Sequence, residues 1–92
     1  MTESAVRKPR LATGVRLQWD RVRERHVLLY PEGALALNPT AADVLGLCDG
    51  ERTVDDIAAE LSARYDGSPV GDDVARLVSA IADRGLVIDA DA

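Results

Sequence analysis

Few side chains in this sequence are suited to chemistry on a substrate. His26 is its one histidine and Cys48 its one cysteine, so no His/Cys metal-ligand spacing and no sequence-level nucleophile–base pair can be assembled. His26 follows Arg25 in a stretch with strand character and reads as a surface or strand-packing residue. Cys48 falls among the apolar positions of a helix, where a buried, inert thiol is expected and not a nucleophile. Two carboxylate pairs, Asp55-Asp56 and Asp72-Asp73, stand near helix starts. Neighbours on a helix diverge by about 100°, so neither pair makes a shared acid/base site, and capping and the helix dipole already account for both. Glycine-rich phosphate loops are missing, and three aromatics, Trp19, Tyr30 and Tyr65, are too few for the stacking platform of a single-stranded nucleic-acid binder. A protein that is not an enzyme, needs no cofactor and binds another protein is the expectation.

The elements that would support such binding are legible in the middle of the chain. Leu35 and Leu37 alternate with Ala34 and Ala36, the period-two pattern of a strand with one buried face. Asn38 is a strong helix N-cap and Pro39 suits the first helical position, with Thr40 and Asp43 offering a second capping arrangement. Ala41, Val44, Leu45 and Cys48 then share one helical face, and Asp49-Gly50 is expected to end the helix with a left-handed residue. Thr53 and Asp56 form a capping box for a second helix, with Val54, Ile57, Ala58, Leu61 and Tyr65 on its apolar side. The turn between the two helices is predicted at four or five residues, which makes a helix-turn-helix.

Upstream, Val15, Leu17 and Trp19 alternate with polar residues and are predicted to face the core from a first strand. Val27-Leu28-Leu29-Tyr30 is apolar on both faces, as for a middle strand with something covering its second side. Pro31-Glu32-Gly33 reads as the following turn, with Gly33 free to take positive φ. Downstream, Asp66-Gly67-Ser68-Pro69 breaks the second helix. A third begins near Gly71 or Asp72, buries Val74, Leu77, Val78 and Ile81, and ends at Arg84-Gly85-Leu86 in a Schellman turn. The predicted class is α+β, winged helix-turn-helix-like: a three-stranded antiparallel meander followed by a three-helix bundle. One domain is expected over residues 9–88, with a flexible arm at 1–8 and a frayed tail at 89–92.

Charge bears on partners. Net charge is −5, but residues 1–30 carry seven Lys/Arg against three acids and residues 31–92 carry four against thirteen. A DNA-reading winged helix needs a basic recognition helix, and here the helices are acidic, so no nucleic-acid partner is expected. The start, MTESAVRKPR, lacks the apolar stretch of a signal peptide, and no apolar run approaches the roughly 20 residues of a membrane span. A cytoplasmic protein with no membrane partner is expected.

The strongest binding feature is the edge of the third strand. Ala34-Leu35-Ala36-Leu37 has no Lys, Pro or bulge to block another extended chain, and its alanines leave room for an approaching backbone. On the third helix, Asp73, Arg76, Ala80 and Arg84 recur at offsets of three and four beside the core stripe and suit the second wall of a groove. The same open edge, with the Pro31-Glu32-Gly33 turn as hinge, permits a weak or strand-exchanged homodimer.

Three segments carry a family resemblance: PRLATGVRLQWD, RHVLLYPEGALALNPTAADVLGLCDGERTVDDIAAEL and IADRGLV. Through them the chain resembles the pyrroloquinoline quinone biosynthesis protein D family over about Pro9 to Val87. The resemblance implies a non-catalytic peptide chaperone, a precursor-peptide recognition element. Such a domain binds the quinone precursor peptide by strand addition and presents it to a radical S-adenosylmethionine (SAM) enzyme. Carried over to this sequence, the peptide site is Leu35, Ala36, Leu37 and Asn38 on the strand, with Asp73, Arg76, Leu77, Ala80 and Arg84 on the helix. The alternatives are the same module in another ribosomal modified-peptide pathway and, further off, a winged-helix DNA-binding protein.

Overall fold

The computed structural model describes residues 6–91. Along the chain run β1 (Pro9–Leu11), β2 (Arg16–Asp20), β3 (Arg25–Tyr30), β4 (Gly33–Ala36), α1 (Pro39–Gly46), α2 (Val54–Arg64), α3 (Gly71–Asp83) and β5 (Val87–Asp89). The architecture is mixed α/β, with three helices and two antiparallel sheets, β2-β3-β4 and β1-β5. No described helix is long and apolar enough to cross a membrane.

Strand alternation puts Leu17, Leu28 and Leu35 in one cross-strand row and Trp19, His26 and Leu37 in the next. These rows share one face of the sheet. Leu28 is wholly buried there and joins Leu45, Ile57, Leu61, Val44, Val74 and Val78 in one aliphatic core. Each such side chain contributes about 1.5–3 kcal/mol through its burial. On the opposite face Val27 is buried and Leu29 half-buried, and neither belongs to the core cluster. Trp19 departs from expectation, with 49% of its surface exposed. Alternation sets which face a side chain takes; whether anything lies above it is a tertiary matter.

Turn chemistry explains the connections. Asp20 closes the β2–β3 hairpin by accepting from the Val22 and Arg23 amides at 3.0 and 3.2 Å, and these bonds hold its carboxyl below the usual range, Arg23's amide foremost. Gly33 is already a strand residue opposite Tyr30 and is not among the positive-φ glycines. Pro31 and Glu32 make that turn alone.

Asn38 caps α1 through the Ala41 amide at 2.8 Å. The helix stops at Gly46, short of the predicted Asp49-Gly50 end, and the connection to α2 is seven residues, Leu47 to Thr53. Gly50, at φ 81, bends the chain against β1, where its amide donates to the Pro9 carbonyl at 3.0 Å. Cys48 therefore lies just past the helix, still buried, with its thiol on the Val44 carbonyl. Asp43 forms no second cap with Thr40; its carboxylate accepts from the Tyr65 hydroxyl and ties α1 to the end of α2. The Thr53–Asp56 capping box is present on α2. At the end of α3, Gly85 takes φ 78 and the Leu86 amide reaches the Ile81 carbonyl at 3.2 Å, the Schellman pattern.

The β1-β5 pair has no counterpart in the sequence prediction, since three residues per strand are too few to show alternation. It draws in flanking residues assigned to an arm and a tail. Asp89 accepts from the Arg7 and Lys8 amides at 3.0 and 3.1 Å, the Ala90 amide returns to the Lys8 carbonyl at 2.9 Å, and Arg7 pairs with Asp91. Residues 1–5 and 92, also assigned to the arm and tail, lie outside the described residues.

Candidate functional site

The free edge of β4 is defined by its pairing with β3. Leu37 donates to the His26 carbonyl at 3.0 Å, so the opposed pairs Leu37–His26, Leu35–Leu28 and Gly33–Tyr30 exchange ladder bonds. By alternation, the N–H and C=O groups of Ala34 and Ala36 point away from β3. Both alanines are exposed, and β4 is the terminal strand of its sheet. Two donors and two acceptors thus face outward along a strand whose outward-facing residues carry only methyl groups. Leu35 is half-buried and Leu37 is 5% exposed, so the leucines of the predicted site anchor the strand to the core. Asn38 is committed to the α1 cap.

Helix α3 packs on α2, α1 and β5, and contact with β4 is slight at most. Val74, Val78 and Ile81 face the core. Leu77 is half-buried and, like Leu35, packs against the rim of the same core cluster. Asp73, Arg76, Ala80 and Arg84 are all exposed. Arg76 sits 3.5 Å from Asp73, with three quarters of its side chain in solvent, an ion pair worth only about 0–1 kcal/mol. Among the described residues Arg84 has no ion pair. Both arginines are available to a ligand at small cost.

The structure thus brings Leu35 and Leu77 to one core, with Asp73, Arg76 and Arg84 exposed on α3. A hollow on α3 is lined by Asp72, Ala75, Arg76, Ser79, Ala80 and Asp83 without any β4 residue. A cleft of about 490 Å³ opens instead at the far end of the sheet, lined by Trp19, Glu24, Arg25 and His26 together with Leu37, Asn38, Pro39, Ala42 and Asp43. Only the apolar Trp19 in a charged stretch signals it in the sequence. Among the described residues no cluster of His, Cys, Asp or Glu is placed to hold a metal. Burial pushes the Cys48 thiol up to about 12, which removes it as a nucleophile.

The family model described as coenzyme PQQ synthesis protein D (PqqD) matches residues 25–87. The PqqA binding protein of Methylococcus capsulatus is 49% identical over 43 residues, which cover 47% of this chain and 46% of that protein. The PqqA binding protein of Klebsiella pneumoniae is 58% identical over 41 residues, 45% of each chain. The chain therefore spans about half the length of the curated relatives it matches. The solution NMR structure of the PqqD truncation of Methylobacterium extorquens PqqCD is described as a functional, stand-alone recognition element for ribosomally synthesized and post-translationally modified peptides. It superposes with a TM-score of 0.75 at 40% identity, covering 87% of both chains. The crystal structure of PqqD from Xanthomonas campestris gives a TM-score of 0.57 at 36% identity, over 92% of this chain and 97% of that one.

Proposed function

The chain belongs to the coenzyme PQQ synthesis protein D family, and from that premise we propose that it is a non-catalytic peptide chaperone of pyrroloquinoline quinone biosynthesis. It takes the ribosomal precursor peptide as an added strand on β4 and presents it to a radical SAM enzyme in the cytoplasm. The observation that carries this reading is the open β4 edge, whose outward Ala34 and Ala36 main-chain groups are the donors and acceptors that strand addition requires. Leu77 would give an apolar contact on α3, and Asp73, Arg76, Ala80 and Arg84 would set register and choice. The names of the relatives, which bind PqqA, support the same partner. The frame is read as winged-helix-like, with the β2-β3-β4 meander beside the helices, and put to use on a peptide and not on DNA.

The test is a titration of the isotopically labelled domain with the quinone precursor peptide. Saturable one-to-one binding is expected, with the largest amide shifts at Ala34, Ala36, Arg76, Leu77 and Ala80. No binding at high micromolar peptide, or shifts that avoid both β4 and α3, would refute the reading. The same edge permits a weak or strand-exchanged homodimer, which peptide would displace. Sedimentation at rising protein concentration, with and without peptide, measures that competition.

A further inference from the structure

A strand added to β4 has two faces, and contacts with Leu35 and Leu77 account for only one. Peptide residues in line with Leu35 extend the Leu17–Leu28–Leu35 row and turn toward the core side of the sheet. Their neighbours turn the other way and extend two different rows, Arg16–Leu29–Ala34 and Gln18–Val27–Ala36. On that outer face β4 presents only methyl groups. A side chain of the added strand therefore meets no obstacle above β4 and lies across it toward β3. Strands are spaced about 4.8 Å apart, so β3 runs about 10 Å from the added strand, within joint reach of two long side chains.

What β3 offers at that distance is particular. Val27 is already buried, but Leu29, beside Ala34, is half-buried and keeps apolar surface open. Arg25, two residues before Val27, shares the outer face and is exposed. Among the described residues Arg16 and Arg25 make no ion pair. The one strand carboxylate on this face, Asp20, is engaged by the Arg23 guanidinium at 3.1 Å and by the Val22 and Arg23 amides. Glu24 precedes Arg25 but lies in the turn, at φ 55, and pairs with neither arginine. The outer face thus joins an apolar spot at Leu29 to an unpaired guanidinium at Arg25, and Ala34 and Ala36 make it continuous with the free edge.

We propose that β3 reads the bound peptide across β4: Leu29 takes an apolar side chain and Arg25 a carboxylate, both from outward-turned residues of the added strand. The inference rests on the strand-addition reading and adds specificity residues on a strand with which the peptide does not pair. Recognition is then two-sided. Peptide residues of one parity meet Leu35 and Leu77, and those of the other parity meet Leu29 and Arg25. Because Val27 lies opposite Ala36 and Arg25 lies beyond it, the carboxylate belongs toward the Ala36 end of the edge and the apolar side chain toward the Ala34 end.

The test measures the affinity of the full chain for the quinone precursor peptide in wild type, Arg25→Glu, Leu29→Thr and Ala36→Pro, with circular dichroism to check each fold. Arg25→Glu should weaken binding about tenfold at low salt and less as salt rises. Leu29→Thr, which keeps a strand-forming residue, should weaken it about three- to tenfold at any salt. Each carboxylate-bearing residue of the peptide is then replaced in turn by Lys. One of these peptides should bind Arg25→Glu better than it binds wild type, which identifies the carboxylate that Arg25 holds. Arg25 is exposed, so its reversal keeps the test valid if Leu29→Thr fails to fold. Loss of binding in Ala36→Pro, beside folded Arg25→Glu and Leu29→Thr chains that bind like wild type, overturns the reading by β3 and leaves strand addition standing. A loss in Arg25→Glu that no Lys peptide restores overturns the carboxylate contact. A wild-type chain that binds no peptide, or a folded Ala36→Pro chain that binds as well as wild type, overturns strand addition itself. Hairpin substitutions that alter only self-association in sedimentation would reassign the outer face to a second copy of the chain.

Discussion

Proline placed at two adjacent positions separates the peptide edge from the fold. The Ala36 amide points away from β3, so Ala36→Pro removes no ladder bond of the protein itself. Leu35 already has the extended backbone that a residue before proline must adopt, and proline is tolerated on an edge strand when its missing donor faces outward. The cost to folding is about 0–1 kcal/mol. Leu37→Pro is different. It deletes the donor to the His26 carbonyl at 3.0 Å and truncates a side chain that is 5% exposed. Leaving that acceptor unpaired costs about 1–3 kcal/mol, and the lost packing about 2 kcal/mol more. A total of about 3–5 kcal/mol is a large share of the 5–15 kcal/mol that typically stabilises a domain. Peptide affinity should move the other way. At Ala36 the added strand loses a main-chain bond and meets a ring in place of a methyl group, a loss of at least about tenfold. Urea unfolding followed by circular dichroism, beside fluorescence anisotropy of a labelled precursor peptide, reads both effects. The reasoning fails if Ala36→Pro is destabilised as much as Leu37→Pro, or if it stays folded and binds the peptide like wild type.

On α3, Arg76→Glu and Arg84→Glu are expected to weaken an acidic peptide by about 1–3 kcal/mol each, with a loss that shrinks as salt rises; salt-independent affinities would remove these residues from the site. Acid should open the terminal clamp. Amides of Asp91, Arg7 and Lys8 depress the Asp89 carboxyl, so its stabilising effect is complete above the unfolded carboxylate range and is lost as pH falls through the lower folded value. Asp89→Asn should lower the urea midpoint at neutral pH and flatten its decline below about pH 4, and an unchanged acid profile would count against the clamp. Cys48, buried and with its thiol pushed up to about 12, should react with a thiol reagent at pH 8 only as fast as the chain unfolds; rapid labelling of the native protein would contradict its burial.

Local signals determined much of this protein. The Asn38 and Thr53–Asp56 caps, the Gly85 turn and the apolar stripe of α3 are written in neighbouring residues, because capping and helical periodicity act within a few positions. The same holds for the alternation of Ala34 to Leu37, and the three quoted segments were enough to point to the family. What the sequence left open depended on distant segments meeting. Whether Ala36 or Leu37 turns its amide outward is decided by the register with β3, set through Leu37 and His26. Gly50 bends the chain toward β1 and does not end α1, because the Pro9 carbonyl is there to accept its amide. Asp89 gains a role only when Arg7 and Lys8, more than eighty positions away, supply their amides. Trp19 follows the strand period yet stands half in solvent, because the cover above a strand is built by helices whose placement no local pattern encodes.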